Sequence, residues 1–164
     1  MMTLYHGSYL SIPAPLAKAG RKNLDFGHGF YVTKLQKQAE DWARIIATRR
    51  GRNVIPVVNV YRFNRSKAEQ DKIRFKVFDS YDLEWLNYVV DCRKGKDISS
   101  DYDLVEGGVA NDRVIDTVNL YTAGLITLDT ALRELSKHQP NNQMCILNQE
   151  IINKYLVYDG TESL

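Results

Sequence analysis

Three short stretches of this chain carry the residue types that chemistry needs. Tyr5-His6-Gly7-Ser8 sets an imidazole beside a bare backbone. Imidazole donates, accepts or carries a proton near neutral pH. A glycine lets a flat ligand come close to the main chain, where one N–H and one C=O can pair with a planar amide. The plainer alternative is a partly buried structural histidine. Phe26-Gly27-His28-Gly29-Phe30-Tyr31 is the second stretch, with two glycines that bend the chain before an aromatic pair. Tyr31 can stack on a flat heteroaromatic ring or serve as core. The third stretch, Asn142-Gln143-Met144-Cys145-Ile146-Leu147, brings an amide to the head of an apolar run.

Other chemistries are excluded cheaply. The chain has no GxxxxGK[ST], no GxGxxG, no HExxH and no paired CxxC. Its histidines are His6, His28 and His138, and no carboxylate-rich helix supports them as a zinc site. No metal is expected. Cys92 and Cys145 have no metal-like spacing, and Cys145 reads as a reduced thiol in an apolar run.

Elements must hold these stretches in place. Thr3 to His6 reads as a short strand, and Pro13 and Pro15 make the next segment a loop. Gly20 to Asn23 continues it as a polar, basic loop. Phe30-Tyr31-Val32 reads as a strand. Lys34 to Arg50 reads as a helix with Thr33 as its N-cap and Leu35, Ala39, Trp42, Ala43 and Ile46 on an apolar face. Val54 to Phe63 and Ile73 to Phe78 read as strands. Ser80 to Val90 reads as a helix capped by Ser80, and Leu104-Val105 as a short strand. Val114 to Ala123 and Thr127 to Lys137 read as helices split by Gly124. Gln143 to Leu147 reads as a strand, with Gln149 to Tyr155 as a short closing segment. Strands and helices mix without regular β-α-β alternation, which predicts an α+β fold.

The totals agree with one soluble domain over residues 1–164. The chain has 164 residues, 44% hydrophobic and 26% charged, with a net charge of +2. That charge is too mild to imply a nucleic-acid partner by itself. It is uneven, however: Arg44, Arg49, Arg50 and Arg52 crowd together, followed by Arg62, Arg65 and Lys67. They form either a solvated face or a basic rim for a nucleic acid or an acidic protein. The opening residues carry no signal-peptide pattern, and no apolar stretch reaches the ~18 residues a bilayer span needs. A cytoplasmic location, with no membrane contact, is the expectation.

Taken together, the three stretches resemble the diphtheria-toxin-like ADP-ribosyltransferases, the poly(ADP-ribose) polymerase branch above all. That branch opens its site with a strand reading L-W-H-G-S; here Leu4-Tyr5-His6-Gly7-Ser8 stands. Its second strand reads F-G-K-G-I-Y-F-A before a helix; here Phe26-Gly27-His28-Gly29-Phe30-Tyr31-Val32-Thr33 stands. The resemblance implies a split antiparallel β-sheet core with flanking helices, and NAD⁺ as co-substrate. It implies that His6 holds the nicotinamide ribose, that Gly7 and Ser8 belong to the same grip, and that Tyr31 stacks on nicotinamide. Trp42 matches a further ring that the family's helix supplies. Arg21 is the candidate clamp for the pyrophosphate, because a guanidinium fork matches phosphate oxygens.

The family's third element is a glutamate at the head of a late strand, where this chain has Gln143. Glutamine keeps the hydrogen-bonding shape and loses the charge. The expectation is a mono-ADP-ribosyltransferase rather than a polymerase, acting on a protein or nucleic-acid acceptor. Glu150, Asp25 and Glu106 are the other acids that could assist. The alternatives are an NAD⁺-binding module with weak chemistry and a small RNase-type toxin. The resemblance covers residues 4–43 and 141–156; about 64–140 forms a distinct middle region. Asp25-Phe26-Gly27, Val109-Ala110-Asn111-Asp112 and Asn141-Asn142-Gln143 extend it to small bacterial toxin-like ADP-ribosyltransferases, which implies a toxin–antitoxin setting with a small antitoxin protein as partner.

Overall fold

A computed structural model describes residues 1–97 and 101–164; residues 98–100 of the expected middle region lie outside the described residues. Two sheets form the frame. β1 (Met2–Ser8), β3 (Val57–Phe63) and β7 (Leu156–Ser163) make an antiparallel sheet in the order β1-β3-β7. The second sheet runs β2-β6-β5-β4, from β2 (Phe30–Val32), β6 (Gln143–Ile146), β5 (Leu104–Gly107) and β4 (Phe75–Val77). All its pairings are antiparallel except β4 with β5. Among the described residues one isolated bridge, Tyr5 to Thr33, joins the sheets. The fold is α+β, as the unordered mixture of elements predicts.

Six helices complete the described residues: α1 (Gln36–Arg50), α2 (Arg65–Gln70), α3 (Leu83–Arg93), α4 (Asp112–Thr122), α5 (Leu128–Leu135) and α6 (Gln149–Tyr155). Short polar side chains start five of them. Asn64, Asp82, Asn111, Thr127 and Asn148 each accept a backbone N–H of the first turn. Thr127 stands at the helix start that the sequence marks. Ser80 is not the cap of α3: Asp82 is, because it lies one position before the first helical residue. Thr33 does not cap α1 either. Its hydroxyl accepts from Leu35 N–H at 3.1 Å and donates to the Asn142 carbonyl at 2.7 Å, so the helix begins later, at Gln36.

The two middle strands of the second sheet are buried on both faces, and β6 displays this residue by residue. Met144 and Ile146 point to a core shared with Leu4, Phe30, Val32, Tyr61 and Phe63. Cys145 and Leu147 point to a core built by α3, α4 and α5 around Trp85, Leu86 and Val118. A strand covered on both sides must be apolar at every position, which explains the run Met144 to Leu147. Burial lifts the Cys145 thiol to about 12, so it stays protonated.

Helix α1 meets the first sheet along Ala39, Ala43 and Ala47, the three residues it buries. Four-residue spacing makes them one narrow stripe. The broader apolar face expected there is not formed. Leu35 is 46% exposed and Trp42 40% exposed, because the alanines let the helix backbone lie directly on β1 and leave larger neighbours outside.

Candidate functional site

The seam between the two sheets is where the first two stretches meet. Tyr5 N–H donates to the Thr33 carbonyl at 2.8 Å, and Thr33 N–H to that of Tyr5 at 2.9 Å. One residue on, His6 Nδ1–H donates to the Tyr31 carbonyl at 2.6 Å. A carbonyl can only accept, so the bond fixes Nδ1 as the protonated nitrogen. The ring also stacks on Phe30, with centroids 4.7 Å apart. Burial lowers the His6 pKa below its ordinary 6.5, against the raising effect of the Tyr31 carbonyl. A neutral imidazole with Nδ1–H leaves Nε2 as a bare acceptor.

Gly7 is a glycine because of α1. A Cβ there would sit 2.0 Å from the Ala39 carbonyl oxygen and 2.8 Å from the Ala43 nitrogen. Its backbone has a separate role. Alternation along an antiparallel strand points Gly7 N–H and C=O to the same side as those of Tyr5, toward the seam and away from β3. Ser8 serves the turn after the strand: its hydroxyl accepts from Leu10 N–H at 3.2 Å. The next residues are held by Asn59, fully buried on β3 opposite His6. Asn59 accepts from Ile12 N–H at 2.8 Å and donates to the Leu10 carbonyl at 2.9 Å.

Tyr31 is half-buried, with its hydroxyl tied to the glycine turn before it. It donates to the Gly27 carbonyl at 2.6 Å and accepts from Phe26 N–H at 3.1 Å. Burial raises the pKa of this phenol, so it stays neutral. Gly29 allows the turn to lie against β6, since a Cβ there would meet Cys145 Sγ at 2.4 Å. The residue before the turn, buried Asp25, anchors it to the helices. Asp25 takes Arg93 Nε at 2.8 Å and Ala110 N–H at 3.3 Å.

Gln143 heads β6 opposite Gly107, half-buried. The neighbouring Asn142 carbonyl accepts the Thr33 hydroxyl, which brings the head of β6 to the end of β2. Among the described residues, the Gln143 side chain has no hydrogen-bond partner. His6, Gly7, Tyr31 and Gln143 thus belong to one neighbourhood around the Tyr5–Thr33 bridge. Trp42 sits on α1 next to Ala43, exposed, with the Arg49 guanidinium 5.9 Å from its ring centre. Arg21 lies in the exposed loop before β2 and has no ion pair among the described residues. A cavity of about 310 Å³ opens in that loop region, lined by Lys18, Lys22, His28, Cys92 and Lys96 among others.

A charged cluster beside Gln143 escaped sequence reasoning as a unit. Glu106 on β5 is buried, yet it accepts from Lys34 Nζ, from Arg65 Nη1 at 2.5 Å and from Asn142 Nδ2 at 2.9 Å. Burial pushes its carboxyl up, but these hydrogen bonds outweigh it and hold the pKa below the ordinary 4.5. The cluster ties the residue after the bridge (Lys34) to the residue before Gln143 (Asn142). The available signal was an acid inside Leu104-Val105-Glu106-Gly107, since a charge in a doubly covered strand must be paired. Lys34 and Arg65, distant in sequence, carried none. Glu150 is exposed in the first turn of α6. Among the described residues, no group of three or more His, Cys, Asp or Glu is placed to hold a metal ion. No helix there is long and apolar enough to cross a membrane.

The chain belongs to the family described as Protein of unknown function (DUF3990), which matches residues 2–158. No curated protein and no solved structure matches it.

Proposed function

We propose that this chain binds NAD⁺ and transfers single ADP-ribose units to a macromolecular acceptor, on an ADP-ribosyltransferase-like split sheet. The observation that carries the reading is the His6–Tyr31 hydrogen bond across the seam. It orients an imidazole whose Nε2 can accept from a ribose hydroxyl, and it sets that imidazole beside the Gly7 backbone edge. Gly7 N–H and C=O suit a carboxamide, and the Tyr31 ring suits nicotinamide. Trp42 and Arg21, with Ser8, complete the proposed cofactor grip in the outer shell of the site.

The reaction breaks the nicotinamide–ribose bond. Its electron pair leaves with nicotinamide, positive charge grows on the ribose, and the acceptor's nucleophile forms the new bond at that carbon. Gln143 can orient a ribose hydroxyl through its amide, but it can neither take the acceptor's proton nor balance the charge. The acceptor then loses its proton to its own base or to solvent. This favours single transfers over chain growth. The setting that accompanies the reading is a bacterial toxin or effector in the cytoplasm, restrained by a small antitoxin protein.

One observation favours a second reading, an NAD⁺-binding module with weak chemistry. The buried carboxylate nearest in the fold, Glu106, is already committed to three donors. Incubating the protein with cell extract and NAD⁺ labelled on the adenylate phosphate decides between them. Label on protein or nucleic acid is the expected result. Saturable NAD⁺ binding without label selects the second reading. RNA cleavage without NAD⁺ would overturn both in favour of an RNase-type toxin.

A further inference from the structure

The outer end of α1 carries aromatic rings and uncompensated guanidinium groups side by side. Arg50 lies over the Tyr9 ring at 4.8 Å and Arg49 over Trp42 at 5.9 Å. Arg52 is close behind in the chain, also exposed. Earlier charges on the helix are neutralised: Lys37 pairs with Asp41, and Arg44 with Glu40. Among the described residues, Arg49, Arg50 and Arg52 have no carboxylate within ion-pair distance. Three positive charges therefore concentrate at one place on a chain of only +2 net charge; the helix C-terminus favours Arg49 and Arg50 there, but no carboxylate offsets them.

From this we infer that the α1 end with Tyr9 is a docking surface for single-stranded nucleic acid. Charge complementarity selects a polyanion, and the rings narrow the choice. A planar ring beside a guanidinium stacks on an unpaired base while the arginines meet phosphates. A base held in a duplex offers no such face. The position is also apt. Tyr9 comes directly after the His6–Gly7–Ser8 strand, and Trp42 is next to Ala43, which packs on Gly7. A strand bound here meets the proposed NAD⁺ grip at Trp42. The inference deepens the ADP-ribosyl-transfer reading by naming the acceptor class as nucleic acid. The binding itself needs no NAD⁺.

Fluorescence anisotropy tests it on the full chain without NAD⁺, using labelled mixed-sequence single-stranded RNA and DNA and a duplex of equal length. Binding should weaken with salt, with a log–log slope of about −2 for three phosphate contacts. The triple variant Arg49→Ala/Arg50→Ala/Arg52→Ala should bind at least about tenfold more weakly and lose most of that slope. Trp42→Ala should cost about tenfold, the effect of losing one stacked base. Trp42 is the exposed one of two tryptophans, so quenching of intrinsic fluorescence by an unlabelled strand reports contact at this surface. All substitutions are at exposed positions, and an unchanged circular dichroism spectrum shows that each variant folds. Equal binding of wild type and triple variant would overturn the inference. So would tighter binding of the duplex, or binding of poly-glutamate with the same arginine dependence and none of oligonucleotide. Loss of NAD⁺ binding leaves these readouts unaffected, so the two readings fail separately.

Discussion

The seam at His6 and Tyr31 and the corner at Gln143 are both held in place, but by opposite means. At the seam, neutral side chains hydrogen-bond to backbone: an imidazole to a carbonyl, a phenol to a glycine turn. His6 uses Nδ1 for structure and keeps Nε2 as an acceptor, while the Tyr31 ring packs against the helical core. At the corner, a buried carboxylate gathers two cations and an amide, while the Gln143 side chain beside it has no hydrogen-bond partner among the described residues. The charge near that corner is consumed in holding strands together, and the residue at the proposed chemical position has none. Both regions are firmly positioned, but only the corner uses charge to do it.

Perturbing the two regions separately would break or sharpen that contrast. The largest stability effect is expected at the seam from Gly7→Ala, whose methyl meets helix backbone that cannot rotate aside. The cost should be about 3 kcal/mol or more, the upper range for overpacking, read as a lowered urea midpoint. An unchanged midpoint would show that α1 does not lie on β1 this closely.

Glu106→Gln should come next, at about 3 kcal/mol, since it strands Lys34 and Arg65 without their counter-charge; those cations are partly exposed, which keeps the effect at the low end for breaking a buried pair. Because the Glu106 pKa is lowered on folding, its contribution is complete above the ordinary 4.5 and is lost as pH falls through the folded value. Acid unfolding curves should show this loss for the wild type and not for the variant.

Tyr31→Phe removes the hydroxyl that holds the Phe26–Gly27 turn and should cost about 1 kcal/mol, with the ring still present for stacking. Retained NAD⁺ affinity in this variant, measured by calorimetry, would separate the ring's role from the hydroxyl's. Affinity should also depend on pH through His6. It should be steady above 6.5 and weaken as pH falls through the lowered folded pKa, where Nε2 gains a proton and ceases to accept. A His6 that titrates at or above 6.5 by NMR would contradict this.

The smallest stability effect belongs to the corner. Gln143→Glu should shift stability by less than about 0.5 kcal/mol, because the side chain has no partner to lose. On the proposed function, placing a carboxylate there should raise transfer of labelled ADP-ribose about tenfold or more. An unchanged rate would place the rate limit elsewhere.

Much of the frame was readable because its signals are local. Thr127 caps α5 by a hydroxyl within one turn, and the β-branched run into Phe63 became β3. β7 was missed: Leu156–Ser163 mixes polar and apolar residues without clear alternation, and its Asp159-Gly160 pair is a turn signal that argues against a strand. It exists because β3 offers it an edge. α2 was missed for another reason: it has 6 residues, buries only Ala68 and starts at an Asn64 cap that was not recognised. Trp42 shows the reverse error. Helical spacing placed it on an apolar face, yet the alanines beside it bring the helix backbone too near β1 for an indole to enter.

What the sequence by itself determined is the order and type of the main elements, and the three short stretches that carry chemical groups. Residue type, glycine placement and spacing are local properties, and they act wherever the chain goes. Only the tertiary structure decided that His6 Nδ1 meets the Tyr31 carbonyl, that Gly7 is small for the sake of α1, and that Glu106 gathers Lys34, Arg65 and Asn142. Those partners are separated by many residues, and they meet because packing the two middle strands of the second sheet on both faces encloses polar groups such as the Glu106 carboxylate, which cannot be enclosed without hydrogen-bond partners.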